Sequence, residues 1–360
     1  MSVTRSSKRY PRPGWPAGGR TDGHDLVPAH PAVPADVRRP RRLRLGYRIA
    51  TLVEPDADHR HEMLEQVAQA WDGNETWLVL LGVSLWAGFP AAFGAILPHA
   101  YLPVIVMLFA LIVRGISVEM ASQAHPAPRW ERAFGGASLM AALAQGVAVA
   151  TLTVHLTVVD GAFSGSPFGA INWFSALAAV TVTCGYLALG YAYTKWKATG
   201  ELRARAGRRG TVSAGLASIL ALACLVAVGA TATPLTLHGP ARVIAFAGLL
   251  LFAAAGVVVS LGTLRPASQY DGLPLAGLVT AAAALVIAVV VARYPVLATP
   301  ELTLANAAAP PGTLAFLAVG IGLNVPLILF YNWFAHHAFR GKLGHHPAHH
   351  LANGRTGATQ

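Results

Sequence analysis

AWDGNETWLVLLG, residues 70–82, places Asp72, Asn74 and Glu75 about one turn from Trp77 and then runs straight into a long apolar segment. The apolar part decides the fold, and the carboxylates at its mouth raise the question of function. Over the whole 360-residue chain 54% of residues are hydrophobic and only 12% are charged, half the charge of an ordinary soluble domain. Mean hydropathy is +0.50. These values predict an integral membrane protein of the all-α class, a polytopic helical bundle.

Apolar runs of about 20 residues, the length needed to cross about 30 Å of hydrocarbon, recur through the chain. They fall at roughly 77–97, 99–122, 134–158, 170–194, 211–232, 241–262, 275–293 and 312–337. Eight transmembrane helices are therefore expected. The breaks between them carry Pro, Gly and polar residues, as in LPHAYLP (97–103), DGAFSGSPFG (160–169), PLTLHGP (234–240) and TPELTLANAAAPPG (299–312).

The formal charge of +11 is no nucleic-acid footprint, because residues 1–45 hold ten Lys and Arg against three Asp. Three regions follow: a Pro/Arg-rich segment at 1–45, expected to be disordered, a membrane domain at 46–343, and a His-rich tail at 344–360. In the membrane domain and tail one set of alternate loops carries Arg129, Arg132, Lys195, Lys197, Arg203, Arg205, Arg208, Arg209, Arg265, Arg340, Lys342 and Arg355. The other carries only Arg242 and Arg293. Lys and Arg are retained on the cytoplasmic side. The C-terminus and the 71–77 motif are thus both expected there.

A second charged motif, LIVRGISVEM at 111–120, lies in the next apolar run. A tight turn around Pro98 would pair runs 77–97 and 99–122 antiparallel, setting Glu119 near Leu78 and Arg114 near Val83. Asp72, Asn74, Glu75, Trp77, Glu119 and Arg114 then form a polar ladder entering the membrane. Ionised groups in hydrocarbon are costly and commonly mark ion or proton routes. The competing reading makes Arg114 and Glu119 a structural ion pair and Asp72 a helix cap.

WDGNETW, the FP of WAGFP, LPHAYLP and LIVRGISVE together resemble subunit II of the bacterial cytochrome bd quinol oxidases. YTKWKATGEL (193–202), TPELTLANAAAPP (299–311) and YNWFAHHAFRGKL (331–343) extend the resemblance over about residues 46–343. It implies a respiratory heterodimer in the bacterial inner membrane, in which a subunit I holds the haems and the quinol site. Quinol and oxygen are the reactants there, and this chain binds no haem firmly, with room for a structural quinone or lipid. It also implies a cytoplasmic proton route starting at Asp72, and the polar ladder puts Glu75 and Glu119 on that route. Trp77, Arg114 and Asn74 are structural or face the haems, Trp77 lying near an oxygen route.

Histidine is sparse in the expected helices: His155 near one end, His336 and His337 near another. No haem ligand is assigned, and GHHPAHH (344–350) is read as a tail without a metal. Met107, Met120 and Met140 are read as packing residues, Cys184 and Cys224 as small apolar ones, and Glu201 as part of a loop.

The front of the chain departs from the resembled family, whose members have nine helices, the first ending in Asp-Gly-Phe/Tyr-Asp-Leu-Gly. Read one base later through CGN arginine codons, Arg38 to Arg44 permits Val-Val-Leu-Asp-Gly-Tyr-Asp, in phase with Gly46 and Tyr47 once one C is restored. A one-base deletion is thus the expected origin of residues 1–45. The alternative is a genuine basic arm touching anionic lipid. A different class of function, a proton-coupled solute permease, is disfavoured by the short loops and by the lack of paired broken helices.

Overall fold

Pro90 decides where the first described helix stops. The structure, a computed structural model, describes residues 75–123, 128–152, 158–159, 162–166, 168–231, 239–297 and 302–338. Helix α1 (Glu75–Gly88) and helix α2 (Pro90–Gln123) meet at a single residue, Phe89. The residue before a proline is pushed out of the α region. Phe89 N–H still donates to Leu85 O at 3.0 Å, closing α1, and its carbonyl accepts from Phe93 N–H at 2.9 Å, opening α2. Pro90 takes the first helical position, where a missing N–H costs nothing.

The expected turn at Pro98 is therefore corrected. Pro98 and Pro103 both lie inside the 34-residue α2. Prolines are tolerated within membrane helices because neighbouring groups take up the freed backbone, so a proline alone did not mark the turn. Among the described residues seven helices are long and apolar enough to cross a membrane, against the eight expected. The first expected span is divided at Phe89, leaving α1 with 14 described residues.

Helix α3 (Pro128–Thr151) packs antiparallel on α2 and is followed by a two-residue strand pair, β1 (Val158–Val159) with β2 (Ala162–Phe163). Helix α4 (Trp173–Lys197) starts at a capping box. Asn172 Oδ1 accepts from Ser175 N–H at 3.0 Å, and Ser175 Oγ accepts from Asn172 N–H at 2.9 Å. Helix α5 (Gly200–Thr231) begins well before its apolar run, because the arginines of ELRARAGRR are good helix formers that hydropathy does not detect. Then come α6 (Pro240–Leu264), α7 (Leu273–Arg293), the short α8 (Leu304–Ala307) and α9 (Pro311–Ala338).

Successive helices pack as neighbours: α2 on α3, α3 on α4, α4 on α5, and α6 on α7. Close approach needs small residues. A Cβ on Gly146 of α3 would strike the backbone of Ala179 on α4, and one on Gly277 of α7 would lie 2.6 Å from Gly256 O on α6.

One core layer ties the chain together at the basic end. It joins Val118 of α2, Phe134 of α3, Ala188 and Tyr191 of α4, Ala206 and Ala214 of α5, Leu264 of α6 and Leu275 of α7. Farther along, Ala150, Phe174 and Ala178 form a cluster with residues of α5 alone, while Ala253, Ala281 and Ala284 form another within α6 and α7. The α6–α7 hairpin thus joins the shared core layer at its basic end, and just past the other end of α7 Leu297 packs against the cluster of Ala92, Ile96 and Ala307. Helix α9 rests on the α1–α2 corner, where Leu314 and Leu317 approach Gly88 and Ala309 N–H donates to Gly88 O at 2.8 Å. Its Phe316, Val319, Leu323, Leu327 and Phe330 are all more than half exposed.

Candidate functional site

The described lysines and arginines divide unevenly between the two ends of the bundle. Arg129, Arg132, Lys195, Lys197, Arg203, Arg205, Arg208, Arg209 and Arg265 lie at the end where α2 and α4 finish, and Arg242 and Arg293 at the other. Arg114 belongs to neither group. It lies within the membrane-crossing part of α2 and is 1% exposed.

Its level on the bundle follows from the layers on either side. Val118, one turn toward the basic end, shares a cluster with Phe134 of α3. Leu111, one turn the other way, shares a cluster with Met107, Ala110, Ala141 and Ala144. Arg114 therefore comes level with Ser138 of α3, itself fully buried and donating its hydroxyl to Phe134 O at 2.8 Å. Ser117, also fully buried, donates to Val113 O at 2.7 Å.

Leu78 of α1 packs against the Met107–Leu111 cluster. The expected ladder is corrected by this contact, because the turn lies at Phe89 and not at Pro98. Glu119 is not level with Leu78, nor Arg114 with Val83. One turn before Leu78 is the first residue of α1, Glu75, and one turn beyond Leu111 is Arg114, so the buried guanidinium comes level with the start of α1. Glu119 is exposed at the basic end of α2 and points away from Arg114, five residues along a helix of about 3.6 per turn. Trp77 is half-buried on α1. Asp72 and Asn74, and the side chain of Glu75, lie outside the described residues.

Three polar features escaped the sequence reading. Lys195, wholly buried at the end of α4, donates from Nζ to Thr263 O at 2.7 Å and Ser268 O at 3.4 Å, with Asp271 Oδ1 at 3.5 Å. Arg203 of α5 reaches the same carboxylate oxygen through Nη2 at 2.7 Å and Nε at 3.0 Å, and donates to Pro266 O at 3.1 Å. The two cations grip the α6–α7 connection. In the sequence Lys195 is one member of a basic loop, and nothing nearby announces Asp271, which follows only after two further helices.

The second feature is a hydrogen bond between α3 and α4, from the Tyr186 hydroxyl to Gln145 Oε1 at 2.7 Å. The third is His99 on α2, 6% exposed, its ring 5.1 Å from that of Phe163 and neither nitrogen hydrogen-bonded. Placing LPHAYLP in a turn concealed it. Phe163 and Gly169 close over the imidazole. A residue enclosed in this way does not fit an axial haem ligand, which needs an open face for the macrocycle. The side chains of His336 and His337, and all of His155, lie outside the described residues.

Among the described residues no three His, Cys, Asp or Glu side chains come together to hold a metal ion. Met107 is buried in the core and Met140 is half-exposed. Cys184 is buried, and Cys224 lies 3.4 Å from Thr181 Oγ1. Glu201 is in the first turn of α5, not in a loop, and its Oε1 accepts from Arg205 Nη2 at 2.7 Å one turn on.

Residues 43–339 match the family described as cytochrome bd terminal oxidase subunit II. The cytochrome bd-I ubiquinol oxidase subunit 2 of Escherichia coli (strain K12) is 27% identical over 179 residues, which is 47% of this chain and 46% of that relative. The chain thus matches about half the length of the E. coli protein. The cytochrome bd ubiquinol oxidase subunit 2 of Bacillus subtilis (strain 168) is 23% identical over 297 residues, 79% of this chain and 86% of the relative. A chain in the structure of the bd oxidase from Geobacillus thermodenitrificans superposes with a TM-score of 0.65 at 15% identity, over 81% of this chain and 92% of that one.

Proposed function

Because this chain belongs to the cytochrome bd terminal oxidase subunit II family, we propose that it is the second, haem-poor subunit of a respiratory quinol oxidase in the bacterial inner membrane. The haems, carried by a partner subunit I, supply the electron transfer from quinol to oxygen. This chain supplies part of the membrane scaffold and a path for protons consumed in forming water. The uneven division of described Lys and Arg supports a cytoplasmic basic end, and alternation of the helices then brings the C-terminus to the same side.

Arg114 is the observation that carries the proton-route reading. A guanidinium stays protonated at any physiological pH, and at 1% exposure inside a membrane helix it demands compensation. A fixed cation also repels an incoming proton unless carboxylates offset it. Asp72 and Glu75, from the motif that opens α1, and Glu119, at the cytoplasmic rim of α2, are the carboxylates suited to that role. In this reading Asp72 takes the proton from the cytoplasm, Glu119 and Glu75 collect and pass it, and Asn74 and Trp77 shape the entrance. Trp77 also borders oxygen's way in, as in some members of the family. The bare apolar faces of α5, α6 and α9 supply contact for lipid and for subunit I.

Co-expression with the haem-carrying subunit tests the proposal. The expected outcome is a stable complex with haem absorption and quinol oxidase turnover. A chain that purifies alone, never captures that subunit and carries solute across a vesicle membrane would be a permease instead.

A further inference from the structure

Gln145 and Tyr186 face each other across the α3–α4 interface, with the Tyr186 hydroxyl donating to Gln145 Oε1 at 2.7 Å. Both lie within membrane-crossing segments. Polar contacts between membrane helices add little to stability on average, since the separated helices find other partners. Helix packing at this interface already has the close approach at Gly146. Stability alone is a weak reason for a phenol and an amide at this depth.

Their position supplies a stronger one. Tyr186 packs against the cluster of Met107, Ala110, Leu111, Ala141 and Ala144, and Leu78 of α1 packs against the same cluster. Leu78 is one turn past the start of α1, and Arg114 is one turn past Leu111. The Gln145–Tyr186 pair therefore lies on the membrane-centre side of Arg114, beside the apolar layer that a proton arriving at Arg114 next meets. A phenol can accept and donate a proton at one oxygen, which an aliphatic wall cannot do.

We propose that Tyr186, oriented by Gln145, carries the cytoplasmic proton route onward from the level of Arg114 toward the membrane centre. The inference rests on the proton-route reading given above. With its own hydrogen directed to Gln145 Oε1, the Tyr186 oxygen offers its lone pairs to a water on the Arg114 side. A proton arriving from that water is matched by the original one leaving to a second water when the hydroxyl turns away from Gln145. No net charge stays on the ring. Gln145 is the positioning residue that returns the hydroxyl to its starting direction.

The test uses the assembled complex, with Asp72→Asn, Tyr186→Phe, Gln145→Met and Gln145→Glu measured side by side for haem content, quinol oxidase turnover and the rate ratio in H2O and D2O. Tyr186→Phe keeps the ring and is expected to retain haem while turnover falls about tenfold, short of the full loss of a positioned proton-transfer group, with a larger solvent isotope effect. Gln145→Met should follow it in part, and Gln145→Glu, which keeps an acceptor, should recover rate. If Asp72→Asn is slow and Tyr186→Phe runs at the wild-type rate, the inference is overturned and the Asp72 route stands. Wild-type turnover in Asp72→Asn overturns both. Parallel loss of haem and turnover in Tyr186→Phe and Gln145→Glu makes the pair a packing contact and also overturns the inference.

Discussion

Lys195 and Asp271, separated in the chain by α5 and α6, lie 3.5 Å apart in space, the ammonium wholly buried and the carboxylate shared with Arg203. The set closes one end of the α6–α7 hairpin onto α4 and α5. Removing one partner of a buried pair leaves the other uncompensated, at a cost of about 3–5 kcal/mol.

Asp271→Asn is thus expected to destabilise the protein more than Lys195→Met, because it strands two cations where the lysine change strands none. Thermal unfolding of the purified complex measures the order. An equal or smaller shift for Asp271→Asn would mean that the carbonyls of Thr263, Pro266 and Ser268 satisfy both cations alone.

Arg114 and Glu119 should separate cleanly. Arg114 is buried at the level of Ser138 and Glu119 is exposed, so Arg114→Met should reduce haem retention and complex stability, while Glu119→Gln should leave haem in place. Haem spectra and turnover of the two variants decide. Equal haem loss in both would show that the pair acts as one structural unit and would take Glu119 off the route.

Asp72→Asn keeps size and hydrogen bonding while removing the titratable group, so slower turnover with intact haem is the expected result. Asp72→Glu should keep part of the rate. A rate unchanged in Asp72→Asn assigns Asp72 to capping the helix, a contribution of about 1 kcal/mol.

Gly277→Val tests the α6–α7 contact. A Cβ there would lie 2.6 Å from Gly256 O and would also meet Ser260 Oγ, whose hydrogen bond to Pro274 O at 3.0 Å ties the two helices. Overpacking of this kind costs about 1–3 kcal/mol. A lower midpoint of thermal unfolding, with Gly248→Val as the control in open space, is the expected outcome.

Hydropathy made the helices legible, because apolar length is a property of consecutive residues. It misplaced the first turn, since a membrane helix accommodates Pro98 and Pro103 while Pro90, with Phe89 before it, forms the corner. The level of Arg114 against α1 followed that error, as did the omission of His99. Lys195, Asp271, Gln145 and Tyr186 were out of reach for another reason. Each owes its role to a partner on a different helix, and a lysine in a basic loop or a glutamine in an apolar run carries no local mark of that partner.

The α6–α7 hairpin is held at both ends: Leu264 and Leu275 join the core near Lys195, and just past the far end of α7 Leu297 packs against the cluster of Ala92 and Ile96 of α2 and Ala307 of α8. Its two arms are 25 and 21 residues long. With a rise of about 1.5 Å for each residue, the two holds lie roughly 30 Å apart. The hairpin is thus a beam supported at each end, and sideways pressure on its middle is shared between the charged clasp and the Leu297 contact.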